Sequence, residues 1–241
     1  MEVVIFCGGK GTRLWPHTEN GNKHMIEIGG RPILWHLMKI YSSNGFKDFV
    51  LCLGKYGGDI WEYFSKKENI EENWKIKFVN TGDETPKAGR LAKVKKFVKG
   101  ENFFVTYGDG VSDVNIKDLF NFHKKHGKIA TLTAVRVPNQ YGILDIDDKD
   151  EYYTINSFRE KPRLDYWLNG GFFVFNKKIF DYLDKDKDLE REVLKKIAEE
   201  GELSAYKHNG FWKSMDTFKD VIQLNELWED SAPWAIWEKS N

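Results

Sequence analysis

Cysteine is scarce in this chain: Cys7 and Cys52 are the only two among 241 residues. That excludes a disulfide framework. Both sit in apolar runs, "VVIFC" and "FVLCL", so they read as buried free thiols. Long hydrophobic runs are missing too, since no stretch approaches the ~18–20 apolar residues that cross a bilayer. The start, "MEVVIFCGG", has no basic segment ahead of its apolar one and no small-residue cleavage site, and a cytoplasmic protein is expected. Nor is there an excess of one charge. Lys+Arg and Asp+Glu stand at 37 each, so the total makes no case for nucleic acid or an acidic membrane surface. The sequence contains no Pro/Gly/Ser linker, internal repeat or low-complexity segment, and one domain over residues 1–241 is expected.

What is there is a regular alternation. Strands are expected at 2–7, 49–54, 74–80 and 102–110, and helices at 32–44, 58–67, 89–98 and 116–126. Strands alternating with helices of this length imply βαβ units and a mostly parallel sheet. From Ile129 onward the segments 129–137, 141–147, 152–162 and 170–176 are mostly strand-like, followed by helices at 189–201 and 216–229 around a strand at 203–210. The expected fold is therefore α/β: a Rossmann-like, mixed but mostly parallel sheet flanked by helices, with added strands in the second half. The tail "SAPWAIWEKSN" carries Trp234 and Trp237, which are costly to leave in water and should pack on the body or on a neighbouring subunit. His17, His36, His123, His126 and His208 are expected on helix surfaces or in turns.

The first strand runs into "CGGKGTRLWPHTENGNKHM". In open α/β sheets ligands bind beyond the carboxyl ends of the strands, and glycines let backbone N–H groups approach an anion. A Rossmann G-x-G-x-x-G is disfavoured because Leu14 stands where the last glycine belongs, and no G-x-x-x-x-G-K-[ST] occurs anywhere. What remains, G-G-x-G-T-R-L with Lys23 nine residues after Leu14, resembles the signature of the sugar-nucleotidyltransferases. These enzymes couple a nucleoside triphosphate to a sugar 1-phosphate on the nucleotide-diphospho-sugar transferase type of fold. The resemblance implies that Gly8, Gly9, Gly11, Thr12, Arg13 and Lys23 hold the nucleotide's phosphates, with Arg13 and Lys23 catalytic.

Two aspartates suit the same chemistry. Asp109 ends a strand in "FFVTYGDG", and Asp216 opens a helical pattern in "FWKSMDTFKD". On the residues alone, Asp109 could equally be a turn aspartate and Asp216 a helix cap. Nucleotidyl transfer, however, needs a metal held by one or two carboxylates plus substrate phosphates, and the resemblance implies Mg²⁺ on Asp109 and Asp216, with Asp109 also on the nucleotide side. On the acceptor side, "FREKP" and "LNGGFFVFN" offer Glu160, Lys161, Asn169 and Gly170. An exposed ion pair and a β-bulge would account for them otherwise, whereas the resemblance implies contacts with the sugar phosphate.

Longer segments, among them "NTGDETPKAGRL", "YGDGVSD", "GFWKSMDT" and "LWEDSAPWAIW", are similar to the cytidylyltransferase branch of the family. That branch joins CTP to glucose 1-phosphate, giving CDP-glucose for surface polysaccharide synthesis, and forms homo-oligomers. By the same carry-over Arg90 of "AGRL" contacts the nucleotide; otherwise it is a solvated helix residue. Three departures stand out. His24 replaces a proline beside the lysine. The segment between Phe64 and Asn80 is short. Tyr166 and Trp167 sit beside the acceptor residues. These departures leave open a different phosphorylated acceptor, or a non-catalytic nucleotide-binding relative.

The implied reaction needs no general base, because a phosphate oxygen is already an anion. That agrees with the lack of G-x-S-x-G, H-E-x-x-H and C-x-x-C motifs.

Overall fold

A computed structural model describes residues 1–9, 22–70, 73–139, 141–163 and 165–238. In chain order the strands are β1 (Glu2–Cys7), β2 (Glu27–Ile28), β3 (Arg31–Pro32), β4 (Asp48–Leu53), β5 (Lys75–Asn80), β6 (Asn102–Tyr107), β7 (Gly110–Ser112), β8 (Ala130–Val135), β9 (Ile143–Ile146), β10 (Ile155–Arg159), β11 (Leu168–Asn169), β12 (Phe173–Asn176), β13 (Leu203–His208) and β14 (Trp212–Ser214). The helices are α1 (Ile33–Ser43), α2 (Gly57–Ser65), α3 (Lys87–Val94), α4 (Ile116–His126), α5 (Lys195–Glu199) and α6 (Phe218–Asp230).

The central sheet runs β5-β4-β1-β6-β12-β8, with β11 and β13 also paired to β8. Strands β5, β4, β1 and β6 are mutually parallel, as is the β8–β13 pair; β12 is antiparallel to β6 and β8. This is the expected mixed, mostly parallel sheet with strands added by the second half. Apolar residues on both parities of the inner strands explain their unbroken hydrophobic runs. Val3, Ile5, Leu51 and Phe104 face one core with α1 and the tail, while Val4, Phe6, Val50 and Val105 face the other with α3. Cys7 lies in the first core and Cys52 in the second, on opposite faces of the sheet, so the two free thiols cannot pair.

Several expectations shift. Helix α3 stops at Val94 and tightens into a 3-10 turn at Lys95–Phe97, and Leu189–Leu194 forms a π-helical turn ahead of a short α5. Among the described residues, strands β9 and β10 pair only with each other, as an antiparallel ribbon off the main sheet. The histidines differ most. His36 is fully buried, donating from Nε2 to the Ile28 carbonyl at 2.7 Å, and His123 is buried between Thr131 Oγ1 (2.8 Å) and Asn102 Oδ1 (3.1 Å). Both sit on the inward stripes of their helices, where partners from other elements satisfy the ring nitrogens. His208 ends β13 and meets Asp113 at 2.8 Å; His17 lies outside the described residues.

The tail packs on the body. Trp234 is fully buried, stacks on Phe211 (5.6 Å) and donates from Nε1 to His36 Nδ1 at 3.3 Å. Among the described residues no helix is long and apolar enough to cross a membrane.

Candidate active site

A cavity of about 490 Å³ opens at the carboxyl ends of β1 and β6, lined among others by Gly9, Lys23, His24, Lys87, Tyr107, Asp109, Asn169, Gly170, Trp212 and Asp216. The two aspartates come from distant parts of the chain. Asp109 sits in the turn from β6 to β7, and β14 pairs antiparallel with β7 so that Ser214 lies opposite Gly110. The Met215 N–H then donates to the Asp109 carbonyl at 2.8 Å, which sets Asp216 beside Asp109. Thr217 caps α6 in a capping box with Asp220, whose carboxylate also takes the Asp216 N–H at 3.1 Å. The cap belongs to Thr217, and the Asp216 side chain faces the cavity.

Lys23 reaches the same point from the other side. Its ammonium contacts Asp109 Oδ2 and lies 3.5 Å from Asp216 Oδ1. Burial works against the Asp109 carboxylate, yet the adjoining Lys23 ammonium, with His24, holds its carboxyl below the usual range. Two carboxylates thus converge on one cation-sized point beside an open cavity, with an ammonium standing in as the cation. This donor set fits a divalent ion. No third His, Cys, Asp or Glu joins the pair among the described residues, so phosphate oxygens and water would complete the coordination.

A short 3-10 turn, Lys23–Met25, carries the lysine, and Asn22 caps it. Asn22 is buried and fully engaged. Nδ2 donates to the Tyr56 carbonyl (3.1 Å) and the Cys7 carbonyl (3.4 Å), and Oδ1 accepts from the His24 N–H (3.0 Å) and from His24 Nδ1. His24 therefore carries its proton on Nδ1. Burial pushes its imidazole down to about 4, despite Asp109, and the ring is neutral at pH 7. Where the resembling motif has proline, this chain has an uncharged wedge. Gly108 is its counterpart, because a Cβ there would come within 2.8 Å of the Phe6 carbonyl oxygen and 2.5 Å of His24 Cδ2.

On the acceptor side, Asn169 and Gly170 line the cavity. Gly170 donates to the Thr133 carbonyl (2.8 Å) and Thr133 in turn to the Gly171 carbonyl (3.0 Å), while the register against β8 shifts between β11 and β12. The glycine pair is thus a bulge as well as a cavity wall. Glu160 and Lys161, by contrast, are exposed at the foot of the β9–β10 ribbon, paired with each other at 3.2 Å, and are not among the lining residues. Trp167 packs under Arg136 (4.5 Å) and near Lys207 (5.4 Å) instead of lining the cavity, and Tyr166 is solvent-exposed. Arg90 is buried and its guanidinium is held by four oxygen acceptors of the protein. Gly11, Thr12 and Arg13 lie outside the described residues.

Residues that sequence reasoning missed fill the remaining wall. The Asn169 amide donates to the Tyr107 hydroxyl (3.1 Å), which donates to Glu190 (2.7 Å), and Glu190 also pairs with Lys87 (2.5 Å). The only signal in the sequence was the adjacency of Tyr107 to Gly108-Asp109 and of Lys87 to "AGRL". Trp212 donates from Nε1 to the Gly170 carbonyl at 2.7 Å, which turns its ring into the acceptor wall.

Comparison with known proteins places this geometry. Residues 2–231 match the family model described as nucleotidyl transferase. The chain is 45% identical to the glucose-1-phosphate cytidylyltransferase of Salmonella typhi over 99% of its length and 100% of the relative's. It is 40% identical to a probable glucose-1-phosphate cytidylyltransferase of Bacillus subtilis, over 98% and 100% of the two chains. Among solved structures, HddC from Yersinia pseudotuberculosis superposes with a TM-score of 0.74 at 25% identity, covering 94% and 99% of the two chains.

Proposed function

Since the chain belongs to the nucleotidyl transferase family, we propose that it is a cytidylyltransferase that joins CTP and glucose 1-phosphate, with Mg²⁺, to give CDP-glucose and pyrophosphate. The observation that carries the reading is the convergence of Lys23, Asp109 and Asp216 on one point of the cavity, within a chain similar along its whole length to such enzymes.

In this reading an oxygen of the acceptor's phosphate attacks the α-phosphorus of CTP. One P–O bond forms, the α–β bridging P–O bond breaks, and its electron pair leaves with pyrophosphate. The difficulty is bringing two polyanions together, so the site works by neutralising and aligning charge. Lys23 and Arg13 supply protein cations, and Gly8, Gly9, Gly11 and Thr12 complete the phosphate side. Asp109 and Asp216 would hold Mg²⁺, which when bound offsets the charge on the phosphates. Asn169 and Gly170, oriented through Tyr107 and Trp212, receive the acceptor. Glu160 and Lys161 join them on the sugar side of this reading, from the foot of the ribbon. Self-association belongs to the same reading and is supported by the apolar ribbon.

The test is pyrophosphate release with Mg²⁺, offering CTP, UTP, dTTP and ATP against glucose 1-phosphate and other phosphorylated acceptors. CTP with glucose 1-phosphate should be the productive pair. Release with CTP and only a different acceptor would keep the chemistry and overturn the sugar. No release from folded protein would overturn both.

A further inference from the structure

Strands β1, β4 and β5 end side by side, and the Thr81 N–H and hydroxyl already donate to the Leu53 carbonyl at 3.0 and 2.7 Å. One further side chain draws the oxygens of all three ends together. Arg90, on α3 and only 5% exposed, donates from Nη1 to Thr81 Oγ1 (2.7 Å) and the Leu53 carbonyl (3.1 Å). From Nη2 it donates to the Asp83 carbonyl (3.0 Å) and the Gly8 carbonyl (3.2 Å). The two Nη atoms carry four hydrogens between them, and all four are used. Arg90 is also not among the residues lining the cavity.

The glycines next to it fit the guanidinium. A Cβ on Gly8 would fall on the guanidinium itself, the three nearest atoms all being Arg90's. A Cβ on Gly54 would meet Gly8 Cα at 2.9 Å and Arg90 Nη1 at 3.3 Å. Gly8 is not among the positive-φ glycines, so its backbone does not by itself demand glycine.

We infer that Arg90 is a positioning residue for the nucleotide site: it staples three strand ends and fixes Gly8, where the glycine loop leaves β1, with Gly8 and Gly54 as its socket. The inference rests on reading the cavity as a nucleotide site. It gives Gly8 a different task from its neighbour Gly9, which lines the cavity with no atom within 4 Å of a Cβ position.

The experiment is a double-mutant cycle of Arg90→Ala, Gly8→Ala and the pair, read as KM for CTP, KM for glucose 1-phosphate, kcat and Tm. Arg90→Ala should raise the KM for CTP about tenfold or more and leave that for glucose 1-phosphate nearly unchanged. Gly8→Ala should act in the same direction. The pair should be no worse than Arg90→Ala alone, because once the guanidinium is gone the added methyl has room.

Multiplying effects would overturn the inference, since independent contacts with nucleotide predict them. So would a lowered Tm with an unchanged KM for CTP, which marks a purely structural arginine. If Arg90→Ala does not fold, Arg90→Lys keeps the charge without the fork. It should show the same rise, and a normal KM for CTP would overturn the staple. Should the wild type turn over no substrate pair, the functional reading fails while Tm still decides the socket: non-additive losses support it and additive losses overturn it.

Discussion

Lys23 is where charge, burial and chemistry meet. Its ammonium is held by Asp109 and lies close to Asp216, and these are the carboxylates that suit a divalent ion. Lys23→Met should therefore do two separable things. It should lower kcat/KM by about 10²–10³-fold, roughly 3–4 kcal/mol, as loss of a transition-state charge partner does. It should also leave the Asp109 carboxylate short of a cation, so that Mg²⁺ alone raises Tm more in the variant than in the wild type. Thermal unfolding with and without Mg²⁺ checks this, and a variant indifferent to Mg²⁺ would remove the aspartate pair as a metal site. At this scale the sequence was readable where a motif carried the residue. Lys23, Asp109, Asp216, Asn169 and Gly170 meet at one cavity from four places in the chain. It was not readable where the partner is backbone. Nothing in "AGRL" says that the arginine is filled by carbonyls of three strand ends, and nothing in "FREKP" says that Glu160 and Lys161 pair with each other outside the cavity lining.

At the scale of elements, the alternation of strands and helices up to α4 was legible because each parallel strand is apolar on both faces and each helix on one. The ribbon's separation from the sheet was not, since period-2 alternation reveals a strand but not its partner. The buried histidines were missed for the same reason: a polar residue on an inward stripe is tolerable only with partners that the local sequence does not show.

His36 gives the testable case. It joins α1 to β2 through the Ile28 carbonyl and to the tail through Trp234, which needs its unprotonated Nδ1 as acceptor. Burial pushes His36 down to about 4, partly offset by its backbone hydrogen bonds. The sign follows. The folded value lies below the ordinary ~6.5, so between pH 6.5 and 4 the unfolded chain binds more protons than the folded one. Stability from this group is complete above pH 6.5 and lost as pH falls towards 4, by roughly 3–4 kcal/mol at full loss. His123, also pushed down to about 4 by burial, adds in the same window. Denaturant melts at pH 7 and 5 should show the loss, and tryptophan fluorescence should report the tail. Trp234 losing its partner before global unfolding would place the first acid step at His36; an unchanged midpoint would discard the coupling.

For the whole molecule, the body exposes a few large apolar side chains, Trp61, Phe218 and Ile222 among them, and the ribbon gathers more. Leu144, Ile146, Tyr152, Tyr153, Ile155 and Phe158 are all exposed on β9, β10 and the turn between them, with Tyr152 at 82% and Phe158 at 63%. An isolated two-stranded ribbon is marginal in water, and contiguous apolar surface of this kind usually finds a partner. A second copy of the chain is the partner that the homo-oligomer reading supplies. The expected solution mass by light scattering is a multiple of 28.2 kDa. Replacing both Ile155 and Phe158 with lysine should weaken association at least tenfold, about 1.4 kcal/mol. The substitutions leave both cores untouched, because neither residue belongs to them, so circular dichroism and Tm should hold. Glu160 and Lys161 follow directly on β10, and a ribbon released from its neighbour carries them with it. The variant should then show a raised KM for glucose 1-phosphate with the KM for CTP kept, since Lys23, Asp109 and Asp216 stand on the body. A monomeric wild type with both KM values unaffected by the substitutions would make the ribbon a free appendage and leave the acceptor side to Asn169, Gly170 and Trp212.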